Sequence, residues 1–241
     1  TALAALKRIN ARLVRSPGSE RTNSMERPQP QVERRKPQKL DIKSLRSGDM
    51  ISERYRYIRR VGRGAFSTVL LVKDLEIQEE IVLKVLHEKM SSDDAMIKRF
   101  VRELKYARRI NHENVIRIHD FVRVNEIRAI SMEYFPSMTL SSELEQKKPL
   151  PTERAIHIAA SVAAGIHSAH EIGIIHRDLK PGNVLIDKEN KVKIVDFGIS
   201  SATRTGDTRL TKTGILIGTP RYMAPEQVLG KKLDGRTDIY S

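Results

Sequence analysis

The chain has 241 residues, of which 39% are hydrophobic and 31% are charged, and this balance is typical of a globular protein that is large enough to bury a core. It contains no cysteine, which excludes disulfides, Cys-ligated zinc and thiol catalysis and favours a reducing, cytoplasmic location. Its net charge is +14, and no apolar run has the length that a membrane span requires.

The first fifty residues predict a helix followed by a basic linker. Ala2, Leu3, Leu6, Ile9 and Leu13 recur at spacings near three and four, which predicts an amphipathic helix over residues 2–14. The following residues, to about 48, are polar, basic and interrupted by prolines, so they predict a flexible linker without a core. Residues 1–50 carry twelve Lys and Arg against five Asp and Glu, and their net charge of +7 is half of the total.

A second domain is predicted over residues 51–241. Apolar and β-branched runs predict strands over 55–61, 68–72, 80–86, 115–124 and 127–133, with one helix over 91–110. A long helix is predicted over 152–171, with Gly173 as its cap. A mostly antiparallel sheet with one helix, followed by further helices, predicts an α+β fold in two lobes, over residues 51–135 and 136–241.

A glycine loop lies between the first two of these strands. Gly62 and Gly64 approximate the G-x-G-x-x-G pattern, with Ser67 in the third glycine position, and alone this pattern is a weak signal. The residues after the loop are β-branched rather than helical, which argues against a dinucleotide-binding unit. No Gly-Lys-Ser/Thr follows, which excludes a P-loop. The pattern therefore predicts a hairpin whose backbone amides can lie over phosphates.

The strongest signal in the sequence is HRDLKPGN over residues 176–183, followed by DFG over residues 196–198. These motifs resemble the catalytic loop and the metal-binding loop of Hanks-type serine/threonine protein kinases. GTPRYMAPEQ over residues 218–227 further resembles bacterial members of that family. The resemblance covers about residues 54–241 and implies the two-lobed kinase fold, with an antiparallel sheet plus one helix in the N-lobe and a mainly helical C-lobe.

The resemblance implies transfer of the γ-phosphoryl group of ATP to Ser or Thr hydroxyls of proteins, with Mg²⁺ as the metal. Asp178 would orient the substrate hydroxyl and accept its proton, and Lys180 would neutralise the moving phosphoryl group. Asn183 and Asp196 would hold Mg²⁺. Lys at position 180 and Thr at position 219 accompany serine/threonine specificity in the family.

The resemblance also implies a nucleotide pocket. Lys84 would hold the α- and β-phosphates and would pair with Glu103 of the helix. The remaining ATP-binding positions would be those of the glycine loop, the roof, the floor and the segment that joins the lobes: Val61, Gly62, Gly64, Ser67, Val69, Val82, Met132, Glu133, Phe135 and Leu185. Ordinary core packing is the alternative explanation for the apolar members of this set.

A regulatory site is implied within the activation loop. Arg177 directly precedes Asp178, and in kinases with this arrangement a phosphate on the loop neutralises the arginine. Thr211 and Thr213 resemble the doubly phosphorylated stretch of bacterial kinases and would accept phosphate by autophosphorylation, which is compatible with self-association. The alternative is that both are solvated loop threonines.

The sequence ends at residues 238–241, which resemble the start of the central helix of the large lobe. The resemblance therefore implies an incomplete C-lobe, in which Asp238 braces the catalytic loop and Glu226 lacks its arginine partner. An incomplete lobe leaves open a catalytically weak, pseudokinase-like protein or a binding module. A nucleic-acid partner is not expected, because the first 54 residues contain no aromatic side chain that could stack on bases.

Overall fold

The structure is a computed structural model that describes residues 41–64, 67–87, 94–124, 127–146, 149–197 and 220–241. All of these residues belong to one structural unit. The predicted helix over residues 2–14 and most of the predicted linker lie outside the described residues.

Six antiparallel strands form the larger sheet of the part that the structure describes, in the order β1-β2-β3-β4-β6-β5. The strands are β1 (Met50–Ile51), β2 (Tyr55–Arg63), β3 (Ser67–Asp74), β4 (Glu79–Leu86), β5 (Ile118–Val124) and β6 (Ile127–Glu133). The fifth strand was predicted from residue 115 but begins at Ile118. The residues before it leave this sheet, since the Ile116 amide donates to the carbonyl of Ile194 in the C-lobe.

The two-residue period of β4 assigns its side chains to two different clusters. Ile81, Leu83 and Val85 are buried in one apolar cluster, whereas Val82 and Leu86 are buried in another. Because side chains alternate between the two faces of a strand, Lys84 shares the face of Val82 and Leu86. The sequence pattern of this strand thus directs one lysine toward the second cluster.

Helix α1 (Asp94–Ala107) packs on the face of the sheet that carries Lys84. Ile97, Phe100 and Leu104 recur at helical spacing and join Val82 in one cluster, which is hereafter called the inner cluster. The opposite face is covered by Ile42 and Leu45, among others. Packing therefore begins before the predicted domain boundary at residue 51.

The C-lobe contains a smaller sheet and a long helix. Its elements are β7 (Met138–Thr139), α2 (Leu140–Leu144), α3 (Thr152–Glu171), β8 (Val184–Ile186), β9 (Val192–Ile194), α4 (Pro225–Val228) and α5 (Arg236–Tyr240), with short 3₁₀ turns at Pro181–Asn183 and Pro220–Tyr222. A Cβ on Gly165 of α3 would lie 2.9 Å from Ile194 Cδ1, so glycine permits the close packing of helix and sheet. Gly173, at φ +74°, follows the end of α3 as predicted.

No helix among the described residues is long and apolar enough to cross a membrane.

An ion pair joins the start of β2 to the end of β3, opposite the glycine loop. Arg54 donates from Nε and Nη2 to Oδ2 of Asp74 at 2.9 and 2.6 Å, and the Glu76 amide donates to Asp74 Oδ1. Burial alone would raise the pKa of Asp74, but the hydrogen bonds from Arg54 and the Glu76 amide hold it below its usual value. Arg54 also contacts Glu76 at 2.9 Å, but the Glu76 side chain is 65% exposed whereas that of Asp74 is 1% exposed.

We expect Asp74→Asn to lower the free energy of unfolding by about 2 kcal/mol, because it weakens a buried charge-assisted interaction with the same arginine. The control is Glu76→Gln, which removes an exposed partner of Arg54 and should change stability by less than about 1 kcal/mol. Urea denaturation measures both. Equal effects of the two substitutions on the free energy of unfolding would contradict the conclusion that Asp74 is the stabilising partner of Arg54.

Candidate active site

The Asp178 carboxylate lies at the centre of the loop that follows α3. Lys180 Nζ lies 2.8 Å from Asp178 Oδ2, and Asn183 Nδ2 donates to the Asp178 carbonyl at 2.8 Å and to its carboxylate at 3.2 Å. The 3₁₀ turn at Pro181–Asn183 returns Asn183 toward Asp178, so residues five apart in sequence meet in space. The loop thus presents a carboxylate with a cation and an amide beside it.

A second carboxylate fixes the backbone of this loop. Asp238 of α5 is buried and accepts hydrogen bonds from the amides of His176 and Arg177, each at 2.8 Å. It also lies 2.7 Å from Nε2 of His170. Gln227, which is also buried, donates to the Arg177 carbonyl at 2.8 Å. These contacts hold Arg177 at φ +67°, a conformation that non-glycine residues rarely adopt without such support.

The His176 ring joins the loop that carries Asp178 to the segment that carries Asp196. Its Nε2 lies 2.9 Å from the Val195 carbonyl, and its ring centroid lies 4.6 Å from that of Phe197. Burial lowers the pKa of His176 below its usual value, so the ring is neutral at pH 7. A neutral ring can donate to the carbonyl from Nε2 and accept the Asp178 amide at Nδ1.

Asp196 is paired with Lys84 from the opposite lobe. The Lys84 Nζ lies 2.6 Å from Asp196 Oδ1. Burial alone would raise the pKa of Asp196, but the charge and the hydrogen bond of Lys84 lower it below its usual value. The carboxylate is therefore ionised at neutral pH and carries its charge into the cleft between the lobes.

Glu103 has a different partner from the one that the sequence predicts. The expected ion pair joined it to Lys84, but Glu103 Oε2 lies 3.9 Å from Nη1 of Arg177, and its Oε1 lies 3.9 Å from Arg102. These distances are too long for hydrogen bonds and correspond to charge contacts. A cavity of about 280 Å³ lies beside these groups and is also lined by Tyr106 and Phe197.

Most of the predicted apolar pocket positions meet in the inner cluster. Val82 and Met132 are buried members of it, and Val69, Phe135 and Leu185 pack against it. These residues come from β3, β4, β6, β8 and the segment after β6, so distant stretches of sequence converge on one surface. Val61 and Val69 are predicted to form the roof together, but Val61 is 45% exposed and lies outside this cluster.

The glycine loop forms the predicted hairpin between β2 and β3. The Gly64 amide donates to the Ser67 carbonyl at 2.8 Å, and Ser67 is buried. Against the described residues, a Cβ at Gly62 or Gly64 would make only ordinary contacts, at 3.8 Å or more. The packing of the described part of the hairpin therefore does not require glycine at either position.

The donors near Asp196 fit a hard cation of the Mg²⁺ class. Asn183 uses its amide nitrogen toward Asp178, which leaves its oxygen available, and Asp196 supplies an ionised carboxylate. Within the described ranges, no group of three or more His, Cys, Asp and Glu side chains could hold a metal. Asn183 and Asp196 would supply two oxygen ligands to such a cation.

Two contributors to the site were not predicted from the sequence. Gln227 lies in a motif that the sequence analysis quoted, but nothing in the pattern indicates that its amide reaches Arg177. Lys193 Nζ of β9 lies 2.6 Å from Oε1 of Glu133, and a lysine in an alternating strand is ordinarily expected to be a solvated charge.

Thr211 and Thr213 lie outside the described residues.

The comparisons with known proteins agree with this geometry. The family model of the protein kinase domain matches residues 55–241. Serine/threonine-protein kinase pkn3 of Myxococcus xanthus is 37% identical over 201 residues, which are 80% of this chain and 37% of the relative. Serine/threonine-protein kinase PrkC of Bacillus subtilis is 36% identical over 80% of this chain and 30% of its own length.

A solved structure shares the fold. The crystal structure of the Mycobacterium tuberculosis PknI kinase domain superimposes with a TM-score of 0.63 and 29% identity, over 81% of this chain and 72% of that one. The chain spans about a third of the length of the curated relatives that it matches.

We expect Asp238→Asn to destabilise the protein by about 3 kcal/mol, because an amide group then faces backbone donors that a buried carboxylate had satisfied. Hydrogen exchange measured by mass spectrometry should show lost protection at the amides of His176 and Arg177. The control is Asp234→Asn, which alters an exposed carboxylate paired with Arg236 and should leave both amides protected. Retained protection in Asp238→Asn would contradict the bracing role.

Proposed function

Since the chain belongs to the protein kinase family, we propose that it transfers the γ-phosphoryl group of ATP to serine and threonine hydroxyls of proteins. The observation that carries the proposal is the convergence of Asp178, Lys180 and Asn183 on one loop, together with the Lys84–Asp196 pair that joins the two lobes. In this chemistry, catalysis consists mostly of positioning and charge stabilisation, and these residues supply both.

Asp178 is the group that would orient the attacking hydroxyl. Its carboxylate is ordered by Lys180 and Asn183, so its direction is set before a substrate arrives. It would accept the hydroxyl proton as the phosphoryl group moves, and the Lys180 ammonium would stabilise the negative charge of that group. The lysine at position 180 also supports serine or threonine as the acceptor.

The inner cluster and the segment after Met132 would bind the adenine base. Val82 and Leu185 provide apolar surfaces from the two lobes, and the backbone of Glu133 and Phe135 would bind the base edge. Lys84 would contact the phosphates. At Gly62 and Gly64, where the packing of the described residues does not require glycine, the missing side chains would allow the backbone to approach the phosphates closely.

Mg²⁺ would be held by Asn183 Oδ1 and the Asp196 carboxylate. When bound, it supplies charge neutralisation and orientation for the phosphate oxygens. The residues of the chain hold these two ligands in place, since Asn183 is anchored on Asp178 and the loop that carries Asp196 is anchored through His176.

The competing proposal is a pseudokinase-like protein or a binding module that uses the cleft without catalysis. Each polar position that the reaction needs is occupied: Asp178, Lys180, Asn183, Asp196 and Lys84. The occupied positions favour the enzyme. The protein substrates and a cytoplasmic location are part of the same proposal, and no nucleic acid is expected as a partner.

We further propose that phosphorylation at Thr211 and Thr213 activates the protein. Arg177 and Arg102 flank Glu103 in the structure, so two guanidinium groups lie near one carboxylate. A phosphate would bring between one and two negative charges and would compete with Glu103 for these arginines. Glu103 would then be released toward Lys84, as the family resemblance predicts for the active arrangement.

Asp178→Asn and Lys84→Met are each expected to reduce phosphoryl transfer to a Ser/Thr protein substrate by about 10²- to 10⁴-fold in the full-length protein. Transfer from γ-labelled ATP measures the rate. Asp178→Asn should retain ATP affinity, because its role is toward the hydroxyl. The control is Glu189→Gln, an exposed carboxylate in the turn between β8 and β9, which should match wild type. Full activity in Asp178→Asn would refute the proposed mechanism.

Incubation of the full-length protein with ATP and Mg²⁺ is expected to add phosphate at Thr211 and Thr213, as read by mass spectrometry, and to raise the transfer rate. Asp178→Asn protein should remain unphosphorylated at both positions, since the modification depends on its own activity. The double variant Thr211→Ala, Thr213→Ala should keep only the basal rate. Phosphate confined to other residues, or an undiminished rate in the double variant, would remove this switch.

A further inference from the structure

The segment that joins the two lobes begins at the end of β6, and a side chain of the C-lobe holds it there. Lys193 of β9 reaches across the cleft, and its Nζ lies 2.6 Å from Oε1 of Glu133, at the end of β6. The two side chains are 19% and 27% exposed, so solvent screens this ion pair less than it screens a surface pair.

The Glu133 carboxylate is held in place by a second donor. The Arg117 amide donates to the same Oε1 at 3.1 Å, and the Glu133 amide donates back to the Arg117 carbonyl at 3.0 Å. The Arg117 amide therefore holds the carboxylate in place, and Lys193 meets an acceptor that is already oriented. A preorganised acceptor of this kind makes the charge-assisted bond stronger than a contact between two mobile side chains.

Lys193 also contacts the next part of the segment that joins the lobes. Its Nζ lies 5.7 Å from the centroid of the Phe135 ring, within the range of a cation–π interaction. In the β8–β9 ladder, Lys193 is the partner of Leu185. One hairpin therefore carries both the apolar Leu185, which packs against the inner cluster, and the ammonium that holds Glu133 and Phe135.

We propose that Lys193 is a positioning residue. It sets the distance between the Glu133–Phe135 segment and Leu185, and thereby the affinity of the cleft for the adenine base. The inference rests on the proposed function, since it assigns the base to this surface. The contacts of Lys193 are with Glu133 and Phe135 in the segment that joins the lobes, so we expect its substitution to affect binding of the base more than that of the phosphates or the hydroxyl.

Removal of the ammonium is expected to loosen the segment without altering the catalytic loop. In Lys193→Met, the dissociation constant of Mg²⁺-ATP and the KM for ATP should rise by about three- to tenfold, and kcat should stay within about twofold of wild type. Lys193→Arg should restore most of the affinity, because a guanidinium can reach the same carboxylate. The matched control is Lys191→Met on the same hairpin, where the lysine is exposed, and it should behave as wild type.

The experiment measures Mg²⁺-ATP binding by calorimetry and steady-state kinetics in the full-length protein, with inorganic tripolyphosphate as a competitor that lacks the base. The inhibition constant of tripolyphosphate should be unchanged in Lys193→Met. Glu133→Gln is a second variant, which keeps an acceptor for the Arg117 amide, and it should weaken ATP binding in the same direction. An unchanged dissociation constant for ATP in both variants, or an equal loss of tripolyphosphate affinity, would overturn the inference while the proposed function stands. Failure of the wild-type protein to bind ATP at all would overturn the proposed function and this inference together.

Discussion

The rest of the site depends on the hydrogen bonds of the buried Asp238 carboxylate. It accepts hydrogen bonds from two backbone amides of a loop about sixty residues earlier in the chain, and it also contacts His170. A carboxylate without exposed atoms is stable only when its oxygens are satisfied, and these donors satisfy them. Because the loop backbone is fixed in this way, Asp178 and Asn183 can meet in one orientation rather than sample several.

Among the described residues, cationic and anionic side chains of the two lobes pair with one another. Lys84 is paired with Asp196, and Glu103 lies beside Arg177. The arrangement that the family resemblance predicts joins Lys84 to Glu103 instead. Both pairings use the same residues, and they differ in which charges are left to be neutralised from outside the protein.

The sequence predicted β4 and α1 as elements, because their patterns are local. Alternation and helical spacing explain why Lys84 shares the face of Val82 and why Ile97, Phe100 and Leu104 pack on that face. The sequence could not predict the partner of Glu103, because sequence order does not determine how far α1 lies from the sheet. Nor could it predict the contacts of Gln227 or Lys193, since each depends on a segment more than forty residues away. Ile42 and Leu45 were read as part of a linker, and their packing on the sheet has no local signature.

The ion pairs of the cleft couple two events, the binding of a cation and the binding of an anion. If Glu103 moves to Lys84, the Asp196 carboxylate loses its ammonium partner, and Arg177 loses a nearby carboxylate. An ionised, partly buried carboxylate then favours a cation, and the Arg177 guanidinium group favours an anion. Under the proposed function, the cation arrives with the nucleotide and the anion is the phosphate of the loop. The cation and the anion each lower the free-energy cost of moving α1. The two are therefore expected to act cooperatively through the position of this helix.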